Sequence, residues 1–255
     1  MEFAPDSRFV NRVTPSPNHG ERASDLKVDI LLLHYTGMTV TANAIKRLCE
    51  PSARVSSHYV VDEAGDVLQL VPETRRAWHA GESSWEGTTD INSRSVGIEI
   101  GNPGHSFGCP DFPDVQIAAV IELCRDIVIR HGIRADRVLA HSDVAPWRKR
   151  DPGEKFPWAR LAEAGIGAWV DPLAPSDTAA LGPGAKGREV TELQTALRDY
   201  GYGIEKTGIY DADTNTVVTA FQRHFRPARV DGCADRSTIA TLEALLAKRD
   251  ERQVV

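Results

Sequence analysis

The chain has 255 residues, 41% of them hydrophobic and 26% charged, with a net charge of −6 at pH 7. That composition suits a folded globular protein of one large or two modest domains and excludes a disordered one. It lacks the basic footprint of a nucleic-acid binder, and its longest apolar run, 28–33, is far too short to span a membrane.

Residues 1–26, rich in Pro, Asn, Ser and Arg, read as an arm lying on the surface, and no apolar core of a signal peptide follows Met1–Arg8. Residues 28–33 (Val-Asp-Ile-Leu-Leu-Leu) read as a buried strand that runs into His34-Tyr35-Thr36-Gly37, where the chain turns. The pattern predicts a helix over 42–50, stopped by Pro51, and a hairpin of strands 58–61 and 67–71 about Ala64-Gly65. Residues 95–100 alternate and are β-branched, which predicts a third strand. The clearest helix is 114–131, where Val115, Ala118, Ala119, Ile121, Leu123, Ile127 and Val128 broadly follow helical spacing and His131-Gly132 ends it. A short strand over 138–140 ends at His141. Strands mixed with helices imply an α/β domain, a mixed central sheet flanked by helices, over 27–170.

Residues 171–186 carry Pro172, Pro175 and Pro183 and have linker composition. Beyond them, 189–200, 213–225 and 238–248 are each amphipathic, so 187–250 reads as a small three-helix module with turns at Gly201-Tyr202-Gly203 and Asp231-Gly232 and a frayed end past 249. The four cysteines, Cys49, Cys109, Cys124 and Cys233, form no Cys-x-x-Cys pair and read as buried free thiols.

Three side chains suggest chemistry. His34 and His141 each stand at the C-terminal end of a predicted strand, and Asp151 follows ten positions after His141. Two imidazoles and one carboxylate suffice for a catalytic zinc and leave its fourth tetrahedral position for water. The spacing matches no short metal motif, so each histidine taken alone also reads as structural, and Glu99 as a surface carboxylate on a strand.

A resemblance decides between these readings. Leu32-Leu33-His34-Tyr35-Thr36, Val55-Ser56-Ser57-His58-Tyr59, Ala77-Trp78-His79-Ala80-Gly81, Ser95-Val96-Gly97-Ile98-Glu99, Ala140-His141-Ser142-Asp143, Lys149-Arg150-Asp151-Pro152-Gly153 and Phe156-Pro157-Trp158 follow one another in order. Together they resemble the type-2 N-acetylmuramoyl-L-alanine amidases, the AmpD/AmiD branch in particular. The resemblance implies that His34, His141 and Asp151 hold Zn2+, that Glu99 is the general base or proton shuttle, and that Lys149 stabilises the oxyanion. The substrate it implies is peptidoglycan or a muropeptide, cut between the lactyl group of the sugar and L-Ala. Trp78, His79 and Asn92 are candidates for the substrate groove. In phage-lysozyme-like members a Tyr precedes the second-block His; Ser57 stands there in this chain, which puts more weight on Glu99 and leaves His58 a structural role. Arg75 and Arg76 read as a solvated turn, with stem-peptide carboxylates as their other expected partners.

In the second module, Val190, Leu193-Gln194, Leu197, Gly201-Tyr202, Thr207-Gly208, Tyr210-Asp211, Ala220-Phe221-Gln222 and Asp231-Gly232 resemble the three-helix peptidoglycan-binding domain. That module suggests the periplasm or cell envelope, with the cytoplasm as the alternative given the missing signal. Two other functions stay open. A peptidoglycan-binding protein that does not cut is opposed by the presence of all three ligands. An antibacterial amidase toxin delivered into rival cells would use the same chemistry.

Overall fold

In a run such as Ile30-Leu31-Leu32-Leu33, odd and even side chains point to opposite faces of a sheet, so a strand that is apolar throughout must be covered on both sides. A computed structural model of the chain describes residues 3–24, 26–175 and 180–253; Met1, Glu2 and Asp25 of the expected arm and 176–179 of the expected linker lie outside these, as do the last two residues. Strand β3 (Ile30–Tyr35) is the buried strand, and all four leucine and isoleucine side chains are shielded from water. Around it are β1 (Arg12–Val13), β4 (Tyr59–Val61), β5 (Val67–Gln69), β7 (Ser95–Ile100) and β8 (Val138–Ala140), which form a six-stranded sheet in the order β1-β5-β4-β7-β3-β8. Only the β4/β5 hairpin is antiparallel within it. A separate antiparallel ribbon pairs β2 (His19–Glu21) with β6 (Arg75–Ala77). The N-terminal arm is therefore partly built into sheet edges, and β6 takes Arg75 and Arg76 out of the expected turn.

Helix α3 (Asp114–His131) covers one face. It buries Ile117, Val120, Leu123, Cys124 and Ile127 against Leu31, Leu33, Val96, Ile98 and Ile100. Val115, expected on the apolar stripe, is 56% exposed, because the stripe that meets the sheet is rotated toward Ile117 and Val120. All four cysteines are free; Cys109 and Cys124 are buried, Cys49 and Cys233 partly so.

Over part of the other face α1 (Thr41–Cys49) packs Leu48 on Val60, Leu68 and Leu70. The rest is covered by the short helices α2 (Ile91–Arg94) and α4 (His141–Val144) and by the C-terminal helices α6 (Arg188–Tyr200), α7 (Ala212–Phe225) and α8 (Arg236–Gln253). Helix α5 (Trp158–Glu163) lies between the two parts in sequence. Ile30, Leu32, Val144 and Ala145 share one apolar cluster with Val217, Val218 and Phe221 of α7. Trp85 is wholly buried in that cluster, its ring 5.0 Å from Tyr202 and 6.1 Å from Tyr200. A Cβ at Gly201 would stand 2.4 Å from the Trp85 ring, so this glycine is needed for the close approach and not only for the turn. Truncating a tryptophan buried to this degree typically costs about 3–5 kcal/mol. Set against the usual ~5–15 kcal/mol for a whole domain, the helical module is joined to the α/β part through a continuous core.

Within the module, Gln194 and Gln222 play matching roles. Each is buried, donates its amide to a loop carbonyl (Ile209 at 3.0 Å, Cys233 at 2.8 Å) and accepts a backbone N–H (Gly208, Gly232). Within 171–186, Leu181 bridges Ala234 and Lys186 bridges Ile209.

Candidate active site

Parallel strands end their apolar pairing together, and the first polar side chains past those ends gather at one place. Here the register sets His34 beside Glu99 and Leu33 beside Ala140, so that His141 follows one residue beyond the last pair. The loop after α4 returns Asp151 to the same point, with Ser142 N–H bonded to the Asp151 carbonyl at 3.0 Å. His34 Nδ1, His141 Nδ1 and Asp151 Oδ2 converge with separations of 2.8, 3.1 and 2.9 Å, all three residues buried.

The protons of this cluster can be placed by following its hydrogen bonds. His141 Nε2–H donates to the Ala80 carbonyl at 3.0 Å, which leaves Nδ1 with a bare lone pair. Ser95 Oγ donates to the Ile91 carbonyl at 2.7 Å and accepts from His79 Nε2–H at 3.3 Å, so His79 Nδ1 is an acceptor. It takes the Nε2–H of His34 at 3.0 Å, and His34 Nδ1 is bare as well. Burial, reinforced by His141, lowers the His34 pKa to about 4 against the pull of Asp151. His79 is driven well below the usual value by burial and then by His34. Three acceptors thus face one another with no proton between them, an arrangement that a cation satisfies and a hydrogen bond cannot. Two imidazole nitrogens and a carboxylate oxygen are a donor set for a metal such as zinc.

Glu99 is partly buried on β7, and its Oε2, itself out of contact with solvent, has no hydrogen-bond partner among the described residues. Burial and then the Asp151 charge push its pKa well above the usual carboxylate value, with Lys149 opposing. Lys149 lines the same cleft, of about 420 Å³, together with Tyr35, Trp78, His79, Glu99 and Asp151. Its ammonium makes no ion pair or hydrogen bond among the described residues. Glu99 and Lys149, an acid of raised pKa and an unpaired cation, are therefore brought together with the three convergent donors.

Other expected site residues sit differently. Trp78 and His79 both stand on the wall of the cleft, and His79 also bonds to His34 and supports it. Asn92 is turned inward, where its Oδ1 accepts the N–H groups of His79 (3.1 Å) and Ala80 (2.8 Å); it shapes the loop that carries His79 and does not line the cleft. Ser57 is buried and donates to the Gly97 carbonyl at 2.8 Å. His58 accepts from Gly97 N–H at 3.0 Å and contacts the Arg75 carbonyl at 3.0 Å. Arg75 pairs with Glu21, and Arg76 with Asp90 at 2.8 Å, so both have carboxylates of their own. Arg148, which the sequence did not single out, donates to the Ala80 and Glu82 carbonyls and clamps the loop that also receives His141.

Comparison with known proteins agrees with this geometry. The family profile for N-acetylmuramoyl-L-alanine amidase matches residues 24–154. The chain belongs to the N-acetylmuramoyl-L-alanine amidase family. The profile of a peptidoglycan-binding domain matches residues 186–242. Among members of the amidase family, AmiD of Escherichia coli strain K12 is 39% identical over 246 residues, 87% of this chain and 83% of that protein. The 1,6-anhydro-N-acetylmuramyl-L-alanine amidase AmpD of Enterobacter cloacae is 31% identical over 174 residues, 61% of this chain and 88% of that protein. The structure of E. coli AmiD with anhydro-N-acetylmuramic acid-L-Ala-D-gamma-Glu-L-Lys superposes with a TM-score of 0.76 at 37% identity, covering 89% of this chain and 93% of that one. AmpDh3 from Pseudomonas aeruginosa superposes with a TM-score of 0.74 at 33% identity over 92% and 98%. The amidase fold, a mixed sheet flanked by helices, is common to them, and no helix of the described residues is long and apolar enough to cross a membrane.

Proposed function

We propose that this amidase is zinc-dependent and hydrolyses the amide between the lactyl group of N-acetylmuramic or anhydro-N-acetylmuramic acid and the L-Ala of a stem peptide. The observation that carries the reading is the set of three bare acceptors, His34 Nδ1, His141 Nδ1 and Asp151 Oδ2, within 3.1 Å of one another beside an unpartnered Glu99 Oε2. These three residues would hold the ion. When bound, zinc supplies Lewis acidity, which acidifies water and polarises the scissile carbonyl.

The protein's own residues account for the rest. Glu99 is placed to take a proton from the attacking water and return it to the leaving nitrogen, and its raised pKa makes it a stronger base than an ordinary carboxylate. The Lys149 ammonium, which lines the cleft, is free to stabilise negative charge on the carbonyl oxygen. The Trp78 ring offers an apolar face to a sugar. The Ala80 carbonyl, held by His141 and Arg148, keeps the 80–82 loop closed against the metal side of the cleft.

The division into a catalytic part (27–170) and a wall-binding part (187–250) is supported by the extent of the two profiles, and a substrate on polymeric wall follows from the second. The cell envelope is the compartment that fits such a substrate. Incubation with anhydro-N-acetylmuramyl tripeptide and mass spectrometry of the products tests the bond. Free tripeptide beginning at L-Ala supports it, and cleavage within the peptide, or none, overturns it.

A further inference from the structure

Asp143, in the Ala140-His141-Ser142-Asp143 block, is fully buried, and both halves of the molecule share its carboxylate. Oδ2 accepts the backbone N–H of Ala140 at 2.8 Å and so pins the turn by which β8 enters α4, the turn that presents His141. The remaining donors come from the C-terminal module. Tyr202 Oη donates to Oδ1 at 2.7 Å, and His224 Nδ1–H to Oδ2 at 2.6 Å. The His224 ring is stacked 3.7 Å from Trp158 on one side and 3.7 Å from Phe225 on the other, so its direction is fixed by packing. A buried carboxylate is tolerated only when donors of this kind surround it. Take them away and Asp143 must reach for water, releasing Ala140 N–H and the turn with it. The same turn is tied to Asp151 through Ser142 N–H. Two of the three convergent donors therefore hang on one loop whose cap is completed by the other module.

We propose that Tyr202 and His224 are positioning residues for the metal site: through Asp143 they set the orientation of the His141 turn, so the C-terminal module takes part in the chemistry as well as in attachment. This rests on the metal reading above. It means that cleavage of a small soluble substrate, which needs no wall attachment, still depends on the module's contacts.

The test uses the full chain and reads zinc affinity by competition with a chromophoric chelator, alongside steady-state kinetics on a soluble anhydro-muropeptide. Tyr202→Phe removes one hydroxyl from a pocket otherwise built of Trp85, Tyr200 and Phe221 and keeps the fold. Zinc affinity is expected to fall about tenfold, in the range seen when groups behind metal ligands are removed. A similar fall is expected in kcat with KM unchanged, while far-ultraviolet circular dichroism and sacculus binding stay as in the parent. His224→Leu is expected to behave alike, and His224→Asn, which keeps a donor near the Nδ1 position, to recover most of the loss. Parent-like zinc affinity and kcat in folded Tyr202→Phe and His224→Leu would overturn the inference. A parent chain that binds no zinc would instead overturn the metal reading, a result the first titration distinguishes.

Discussion

His79 Nδ1 lies 3.0 Å from His34 Nε2 and, through Nε2, 3.3 Å from Ser95 Oγ, so that a histidine outside the donor triad dictates which nitrogen of His34 is bare. The His79 ring rests directly on β7 at Gly97, where a Cβ would stand 2.6 Å from it. Gly97→Ala is expected to push the ring off His34. Overpacking of this kind costs about 1–3 kcal/mol, and loss of a group that orients a metal ligand typically lowers metal affinity about 10–100-fold. Isothermal titration with zinc, paired with thermal unfolding, measures both; unchanged affinity would show that His79 does not orient His34.

Asp151→Ala removes the one carboxylate from the proposed ligand set of His34, His141 and Asp151. Zinc binding and hydrolysis are expected to be lost, while sacculus binding by the C-terminal module persists. Metal analysis of the purified variant and a pull-down on insoluble wall report the two properties separately.

Glu99→Ala leaves the three donors in place. It should retain zinc and lose about 10²–10⁴-fold in kcat, the usual contribution of a positioned general base. Normal turnover in this variant would remove Glu99 from the mechanism.

Acid stability should depend on Glu73. Burial alone would raise its pKa, but Arg130, His131 (2.6 Å) and Tyr59 (2.5 Å) all bond to its carboxylate and hold it far below its ordinary value near 4.5. A folded-state pKa below the unfolded one means stability that is fully present above about pH 4.5 and is lost as the pH falls toward the folded value. Thermal unfolding between pH 7 and 3 should show Tm falling at the acid end, and Glu73→Gln should flatten that limb. Glu73→Ala takes away the carboxylate that Arg130, His131 and Tyr59 share, although Arg130 keeps Asp126 at 2.9 Å, and is expected to cost about 1–3 kcal/mol at neutral pH; an unchanged pH profile in Glu73→Gln would contradict the assignment.

Much of the fold was legible because 30–33 is apolar throughout and 95–100 alternates with β-branched residues, and the ends of such strands are where polar side chains gather. The short edge strands Arg12–Val13, His19–Glu21 and Arg75–Ala77 carry too few apolar residues to show a period, and α4 is only one turn long. The roles of His34, His141, Asp151, Glu99 and Lys149 came from the ordered blocks and not from spacing. His79 lines the cleft and also backs His34, whereas Asn92, on α2, is turned inward: in sequence a polar residue looks the same whether it faces a cleft or satisfies a backbone. The proline-rich segment 171–186 reads as a linker and says nothing of how the flanking parts pack; contacts such as Trp85 against Gly201 show a shared core, and no local pattern encodes a contact between residues more than a hundred positions apart.

The central claim is that a metal held by His34, His141 and Asp151 drives amide cleavage in peptidoglycan. The purified chain should be incubated with intact sacculi, with and without a zinc chelator, and the soluble products analysed by mass spectrometry. Release of free stem peptides beginning at L-Ala, abolished by the chelator and restored by added zinc, is the predicted result. Release that continues undiminished in the chelator, or no release from either sacculi or small anhydro-muropeptides, would contradict it.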